Sequence, residues 1–274
     1  MVVQHNLTSM NANRMLGITT SAQAKSSEKL SSGYKINRAG DDAAGLSISE
    51  KMRSQIRGLN KASQNAQDGV SVIQTAEGAL NEVHSILQRM NELATQAAND
   101  TNTTDDRNAI TDELTALSSE IDRISNTTQF NTMNLLDGNF TGKNLQVGSL
   151  GNTYQVITVT ISSMSATKLT VNSDNIKVSS HTFAQKTMDN VQGAIKAVSK
   201  QRSYLGAIQN RLEHTIANLD NVSENTQAAE SRIRDTDMAE EMVEFSKNNI
   251  LAQAGQSMLA QANQSNQGVL SLLQ

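Results

Sequence analysis

The chain of 274 residues contains neither proline nor cysteine. Proline removes a backbone hydrogen-bond donor and clashes with the preceding helical turn, so its absence leaves long stretches free to form helices. The lack of cysteine excludes disulfide frameworks, thiolate metal sites and cysteine nucleophiles. Tryptophan is also absent and aromatic residues make up only 3% of the chain, although aromatic side chains normally dominate the core of a compact domain.

Strong charge of one sign and long hydrophobic runs are missing too. The 23 basic and 27 acidic residues leave a formal net charge of −4, and the scattered basic residues form no field for nucleic acid. No stretch reaches the roughly 18 apolar residues of a membrane span, so we expect no membrane insertion. The first residues lack the basic and apolar regions of a secretory signal. Any export would therefore use a route that reads no cleavable signal.

The residue types that commonly act in catalysis or metal binding are present, but their spacing is not that of a catalytic or metal site. The four histidines stand at no ligand spacing, which argues against a metal site. The segment Gly40–Gly45 lacks the Lys and Ser/Thr of a phosphate loop. The acidic residues Asp235, Asp237, Glu240 and Glu241 suit a helix start, where they favour the helix dipole. We predict that the chain is not an enzyme and binds no metal or cofactor.

What the chain does contain is helical periodicity. From Ile48 to Ala97 small and apolar residues alternate spacings of four and three, which is the seam of a coiled coil. Asp41 or Asp42 is predicted to cap this helix. The polar run Asn99–Thr104 is predicted to end it, because such side chains compete for backbone hydrogen bonds.

Three further helices follow from the same spacing. A capping box of Thr103 and Asp106 starts the second, which should form an antiparallel hairpin with the first. A third is predicted to begin with a capping box of Thr182 and Gln185 and to fade near Glu224. The segment Asp235–Asp237 indicates the start of a last helix.

The middle of the chain changes period. Ile157, Val159 and Ile161 alternate with threonines, which is the pattern of a half-buried strand. Asp137-Gly138 is a turn signal. Weaker strand candidates are 145–147, 169–171 and 176–178.

These elements predict a mainly α protein. We expect a long antiparallel coiled-coil helical rod with a small central β-hairpin region, and terminal helices that form an inner coiled coil.

The two ends carry almost no charge. No Asp, Glu, Lys, Arg or His follows Lys247, and only His5 precedes Arg14. These ends, called the charge-free ends below, are too polar for a membrane and too poor in large apolar residues to fold stably alone. We expect them to order only when they pack together and against copies of the chain; the alternative is that they are frayed tails without function.

Several long motifs resemble bacterial flagellin. The longest is LSSGYKINRAGDDAAGLSI at 30–48, and the resemblance continues through QTAEGAL at 74–80, LQRMNEL at 87–93, EIDRI at 120–124 and TQFN at 128–131. Near the other end, SRIRDTDMA at 231–239 and VLSLL at 269–273 resemble the C-terminal segment of that family. The segment between the matched halves is short, so the large variable outer domains of many flagellins look absent.

The resemblance implies a subunit of a helical homopolymer, the extracellular filament of the bacterial flagellum. It implies inner-tube segments at 1–40 and 230–274, and an outer-tube domain made of 41–180 and 181–229. It also implies export by the flagellar type III apparatus, and contacts with the filament cap and the hook-junction proteins. An export chaperone would cover apolar residues of the last helix that also serve assembly: Leu251, Met258, Leu259, Leu270, Leu272 and Leu273.

Flagellins are also ligands of innate immune receptors. By resemblance, a host Toll-like receptor would contact Arg89, Leu93 and Glu113, whereas Met90 is a seam position that we expect in the core. Leu270, Leu272 and Leu273 resemble the segment that an inflammasome sensor reads in other flagellins.

The main rival from another class is a signalling coiled coil such as the cytoplasmic rod of a chemoreceptor. That class also favours alanine, glutamine and long helices without proline. It would need a membrane span or an anchoring domain, and neither is evident in the sequence; the central strand pattern also argues against it.

Overall fold

The computed structural model describes residues 6–271, and the side chains through residue 265. Within them the chain forms five α-helices: α1 (Leu7–Ser32), α2 (Ala43–Ala97), α3 (Thr104–Thr127), α4 (His181–Arg234) and α5 (Met238–Ser271). Four short strands lie between α3 and α4: β1 (Gln129–Phe130), β2 (Met133–Asn134), β3 (Lys143–Gln146) and β4 (Val156–Val159). The predicted mainly helical fold with a small strand region is confirmed.

The chain divides into two compact units. The terminal unit contains Met1–Ser54 and Asn225–Gln274, and the central unit contains Gln55–Glu224. The proposed tube-layer boundaries at 40/41 and 229/230 concern an assembled filament, and they stay a prediction.

Local signals set most helix starts where the sequence predicts them. Asp42 accepts a hydrogen bond from the backbone N–H of Gly45 at 2.9 Å and so caps α2. Thr103 and Asp106 form the predicted capping box of α3. Asp237 accepts from the backbone of Ala239 at 2.9 Å at the start of α5. Each cap satisfies a backbone donor that has no partner within its helix.

The start and end of α4 differ from the prediction. The helix already includes His181 and Thr182, so the predicted capping box of Thr182 and Gln185 is wrong. The hydroxyl of Ser180 accepts instead from the backbone of Phe183, at 3.4 Å. The helix also continues past Glu224 to Arg234, because the loss of apolar periodicity does not remove the helix propensity of its Ala, Glu and Arg residues.

The strands form two antiparallel pairs rather than one patch. β3 pairs with β4, with Leu145 opposite Ile157. β1 and β2 form a hairpin that the sequence did not predict, since its two turn residues, Asn131 and Thr132, both have positive φ without a glycine. The predicted turn at Asp137-Gly138 is present, with φ of 97° at Gly138 and Asp137 accepting from the backbone of Asn139.

Two of the predicted strands are absent from both pairs. Residues 169–171 and 176–178 lie outside the strands, although Val171, Ile176 and Val178 are fully buried. Thr170 has φ of 60°, which breaks the extended run. Their apolar side chains therefore serve the core and not a ladder.

The main core lies in the central unit. Seam residues of α2 such as Leu80, Leu87 and Met90 are fully buried, and they share one apolar cluster with residues of α3, the strand region and α4. The prediction that Met90 belongs to the core is confirmed. In the terminal unit only Ile36, Ala252 and Ala262 are buried apolar residues among those described.

Candidate functional site

The most unusual surface of the chain belongs to the terminal unit, where α1 and α5 pack side by side. The ammonium of Lys29 and the carboxylate of Glu241 form an ion pair at 3.1 Å, in which both side chains are largely buried. At the far end Asn6 donates to the carbonyl of Ala262 at 2.9 Å, and the hydroxyl of Ser9 donates to Asn263 at 2.8 Å. These polar contacts fix one antiparallel register between the two helices.

The same two helices leave large apolar side chains uncovered. Leu7 is 71% exposed, and Ile250 is 66% exposed. Other residues of α1 and α5 with at least about half of the side-chain surface exposed are Met10, Met15, Ile18, Met238, Met242, Val243, Leu251 and Met258. We call this set, with Leu7 and Ile250, the apolar face. Exposed apolar residues scattered singly are ordinary, but many on one helix pair mark an interaction surface.

Two grooves interrupt the apolar face. One, of about 400 Å³, lies between α1 and α5 and is lined by Met15, Leu16, Leu251 and Met258. The other, of about 510 Å³, runs along α5 beside Met242 and Ile250. Both grooves are lined by flexible or branched apolar side chains that offer dispersion contacts. No charged residue lines the first groove, whereas Lys247 lines the second.

Gly255 of α5 packs against the side chain of Leu16 of α1 at the first groove. A Cβ added to Gly255 would lie 3.3 Å from Cδ1 of Leu16. This is a tight contact, so alanine at 255 would require a small shift of the Leu16 side chain, which lines the groove.

The predicted assembly residues lie partly on this face. Leu251 and Met258 belong to the apolar face, and Leu259 is half-buried. The side chain of Leu270 and the residues Leu272 and Leu273 lie outside the described residues. The roles proposed for all six stay predictions.

The predicted receptor residues lie on α2 and α3 in the central unit. The guanidinium of Arg89 donates to the carboxylate of Glu113 from both Nε, at 3.0 Å, and Nη2, at 2.9 Å. The hydrogen bonds that Arg89 donates to the carboxylate of Glu113 raise the pKa of Arg89 above its ordinary value. About half of each side chain is exposed. The structure therefore brings these two residues together as one surface ion pair.

Leu93, the third predicted contact, does not share that position. Its exposed fraction is 2%, and its side chain packs into the main core. A partner at the surface would find almost none of Leu93, so its proposed direct contact does not fit its burial. The sequence missed this because Leu93 lies off the four-three seam, and only the packing of α2 against its neighbours covers it.

A cluster that the sequence did not predict joins the linker between α1 and α2, residues 33–42, to the end of α4 within the terminal unit. The guanidinium of Arg234 lies 4.7 Å from the ring centroid of Tyr34 and forms an ion pair with Glu50 at 2.8 Å. The hydrogen bond from Arg234 lowers the pKa of Glu50. The backbone of Lys35 also donates to the carbonyl of Arg234 at 2.7 Å. No local signal could reveal this cluster, because its residues are far apart in sequence.

The described part of the chain shows no sign of a metal centre or a membrane span. Among residues 6–271 no group of His, Cys, Asp or Glu side chains is arranged to hold a metal ion. In the same residues no helix is both long and apolar enough to cross a bilayer.

Comparison with known proteins gives consistent relatives. Residues 3–141 match the family model for the bacterial flagellin N-terminal helical region, and residues 188–273 match the model for the C-terminal helical region. The chain is 59% identical over 273 residues to a flagellin of Halalkalibacterium halodurans, with all of both chains covered. It is 50% identical over 286 residues to the flagellar filament 31.3 kDa core protein of Treponema maltophilum, again with full coverage. A crystal structure of Bacillus cereus flagellin aligns with 57% of this chain and 88% of its own, at 30% identity and a TM-score of 0.49.

Proposed function

This chain belongs to the bacterial flagellin family, and from that premise we propose that it polymerises into the flagellar filament through the apolar face of α1 and α5. The full-length identity to flagellins supports a filament subunit of the short form, without a large variable domain. The observation that carries the route of assembly is the apolar face, on which ten large side chains are about half or more exposed.

The energetics favour covering this face with copies of the same chain. Complete burial of one large apolar side chain contributes about 1.5–3 kcal/mol, so even partial burial of the set opposes the entropy lost in association. Half of the apolar face lies in the charge-free ends, where covering it buries no charged side chain: Leu7, Met10, Ile250, Leu251 and Met258. Beside the other half on α5, Glu244 and Lys247 form an ion pair at 2.8 Å. The exposed amide and hydroxyl groups of these helices would find partners on neighbouring copies.

Assembly is tested by salting-out followed by electron microscopy. We expect filaments from the intact chain. Discrete dimers or trimers would favour the signalling coiled coil instead, which no finding above supports. A chain with Leu251→Asp and Ile250→Asp, compared with one carrying Tyr154→Asp on a fully exposed residue of the central unit, shows whether the apolar face is the surface that assembles.

We further propose that the paired arrangement of the charge-free ends becomes stable only when copies of the chain pack against it. Hydrogen exchange of the lone chain should be fast before Arg14 and after Lys247, and slow in the filament. Protected ends in the lone chain at high dilution would contradict this part of the proposal.

Export is proposed to follow the flagellar type III route, with a chaperone covering the apolar side of α5 beforehand. Leu251 and Met258 are the exposed residues that such a chaperone would reach first. Removal of α5 should abolish chaperone binding, and the Tyr154→Asp chain should bind normally. Binding that survives without α5 would overturn this assignment. Contacts with the filament cap, the hook-junction proteins and an inflammasome sensor are proposed on the family resemblance alone.

The receptor proposal rests on the surface pair of Arg89 and Glu113. Arg89→Ala should weaken activation of the Toll-like receptor more than it lowers the free energy of unfolding, because an exposed ion pair contributes under about 1 kcal/mol. Arg123→Ala is the matched control, since Arg123 forms a comparable exposed pair with Glu120 at 2.6 Å on α3. Equal potency of the two variants would contradict the assignment.

A further inference from the structure

Methionine is the residue type that the apolar face uses most. Five of the eleven methionines of the chain belong to it: Met10, Met15, Met238, Met242 and Met258. Met10 is 64% exposed and Met258 is 62% exposed, whereas Met90 is fully buried in the core of the central unit. Exposed thioethers react with peroxides, and the product is a polar sulfoxide.

Met15 and Met258 are the two methionines of this set that line the groove of about 400 Å³ between α1 and α5. They lie on opposite helices, together with Leu16 and Leu251. None of the residues that line this groove is charged, and the polar atoms there belong to side chains such as Thr8 and Asn11. A sulfoxide at either methionine would place a strong acceptor in a surface that must lose water when it is covered.

We propose that Met15 and Met258 form an oxidation site. Oxidation of these two methionines prevents the unassembled chain from polymerising, and assembly protects them from oxidation. In the reaction the thioether sulfur attacks one oxygen of hydrogen peroxide. An S–O bond forms as the O–O bond breaks, sulfur loses two electrons, and the second oxygen leaves as water after taking up a proton. This inference rests on the proposed function, since it requires the apolar face to be the surface that assembles.

The physical reason for the block is desolvation. Burying a polar group without a hydrogen-bond partner is unfavourable. Among the donors that line this groove, the hydroxyl of Thr19 already donates to the carbonyl of Met15 at 3.0 Å. Two sulfoxides on each subunit would repeat that penalty at every contact along a polymer. Leucine at the same positions keeps the apolar volume without an oxidisable sulfur.

The first part of the test measures reaction rates in the lone chain. Peptide mass spectrometry after timed exposure to hydrogen peroxide should show Met15 and Met258 oxidised at least about tenfold faster than Met90 and Met164, which are buried. The same two methionines should become slow in preformed filaments. Equal rates for the exposed and the buried methionines, or unchanged rates in filaments, would overturn the proposal.

The second part measures seeded polymerisation. Met15→Gln with Met258→Gln imitates the polar product and should polymerise at least about tenfold more slowly than Met15→Leu with Met258→Leu. Met133→Gln changes a comparably exposed methionine of the central unit and should leave the rate unchanged. Peroxide-treated chain should recover its rate of polymerisation after treatment with methionine sulfoxide reductase.

Normal polymerisation of the chain with both glutamines would refute the proposal that oxidation prevents polymerisation. Failure of the untreated chain to polymerise on seeds would refute the proposed function itself, whatever the oxidation rates.

Discussion

The central and terminal units are both built mainly of helices but bury their apolar side chains very differently. In the central unit, Leu114 of α3 and Leu205 of α4 have no exposed surface. In the terminal unit, Leu7, Ile18 and Ile250 each expose more than half of theirs. The central unit therefore has a finished core, whereas the terminal unit leaves a set of large apolar side chains uncovered, as interaction surfaces do.

The difference extends to how each unit is specified. The central unit is fixed by one continuous apolar cluster that includes residues of three helices and the strand region. The terminal unit is fixed by directional contacts, among them the Lys29–Glu241 ion pair and the stacking of Arg234 on Tyr34. Such polar contacts contribute more to register than to stability, which agrees with the proposal that assembly stabilises these helices.

The largest expected effect tests the finished core. Leu114→Ala should lower the free energy of unfolding of the central unit by about 3 kcal/mol, because it leaves a cavity that neighbouring side chains only partly fill. Chemical denaturation of the unassembled chain measures this. A loss below about 1 kcal/mol would show that the two units are less different than their burial indicates.

The matched change on the apolar face is Leu251→Ala. Since nearly half of Leu251 is already exposed, the lone chain should lose less than about 1 kcal/mol of unfolding free energy. Its critical concentration for polymerisation should instead rise, and sedimentation of filaments measures that value. If Leu114→Ala and Leu251→Ala gave the same ratio of change in unfolding free energy to change in critical concentration, the difference between the two units would be contradicted.

Two glycines sharpen the comparison with one chemical change. A Cβ would meet no atom within 4 Å at Gly78 in α2 or at Gly17 in α1. Gly78→Ala should raise the free energy of unfolding of the central unit by about 0.5–1 kcal/mol, through helix propensity and a less flexible unfolded chain. Gly17→Ala should leave that transition unchanged and slow amide exchange only within α1. A shift of the central transition by Gly17→Ala would mean that the two units unfold together.

The smallest expected effect concerns a carboxylate of the terminal unit. The hydrogen bond from Lys25, with others from the backbone of Arg38 and Asn37, lowers the pKa of Asp41 from its ordinary value of 3.8 to about 2. Because the folded pKa is depressed, the contribution of Asp41 is complete above pH 3.8 and is lost as the pH falls through about 2.

Carboxyl chemical shifts followed by NMR give the pKa of Asp41 directly. Lys25→Ala should move its midpoint upward, since the first cause of the shift is removed. This contact lies outside the charge-free ends, so it should persist in the lone chain. An ordinary midpoint in the intact chain would show that α1 does not hold the linker before assembly.

Features of the fold could be predicted from the sequence where the interacting residues are close together along the chain, and not where they are far apart. The capping boxes and caps at Asp42, Thr103 and Asp237 could be located from sequence because each joins residues two or three positions apart. The box expected at Thr182 failed because the helix starts earlier, with Ser180, two residues before, accepting from the backbone of Phe183. The β1–β2 hairpin was missed since Asn131 and Thr132 adopt positive φ only in this tertiary setting.

The same distinction holds for the candidate site, of which some features could be predicted from the sequence and others could not. The neutral composition of the chain ends and the apolar positions of α5 could be recognised directly. The pairing of Arg89 with Glu113, the burial of Leu93 and the stacking of Tyr34 could not, because each depends on which helix faces lie together.

The sequence by itself determined the helices, their caps and the charge-free ends, since propensity, periodicity and charge act over one or two helical turns. Only the tertiary structure decided which apolar side chains are buried in a core and which stay exposed on the apolar face. Burial depends on where distant segments pack, and no local pattern separates a leucine that fills a core, such as Leu205, from one that stays exposed, such as Leu251.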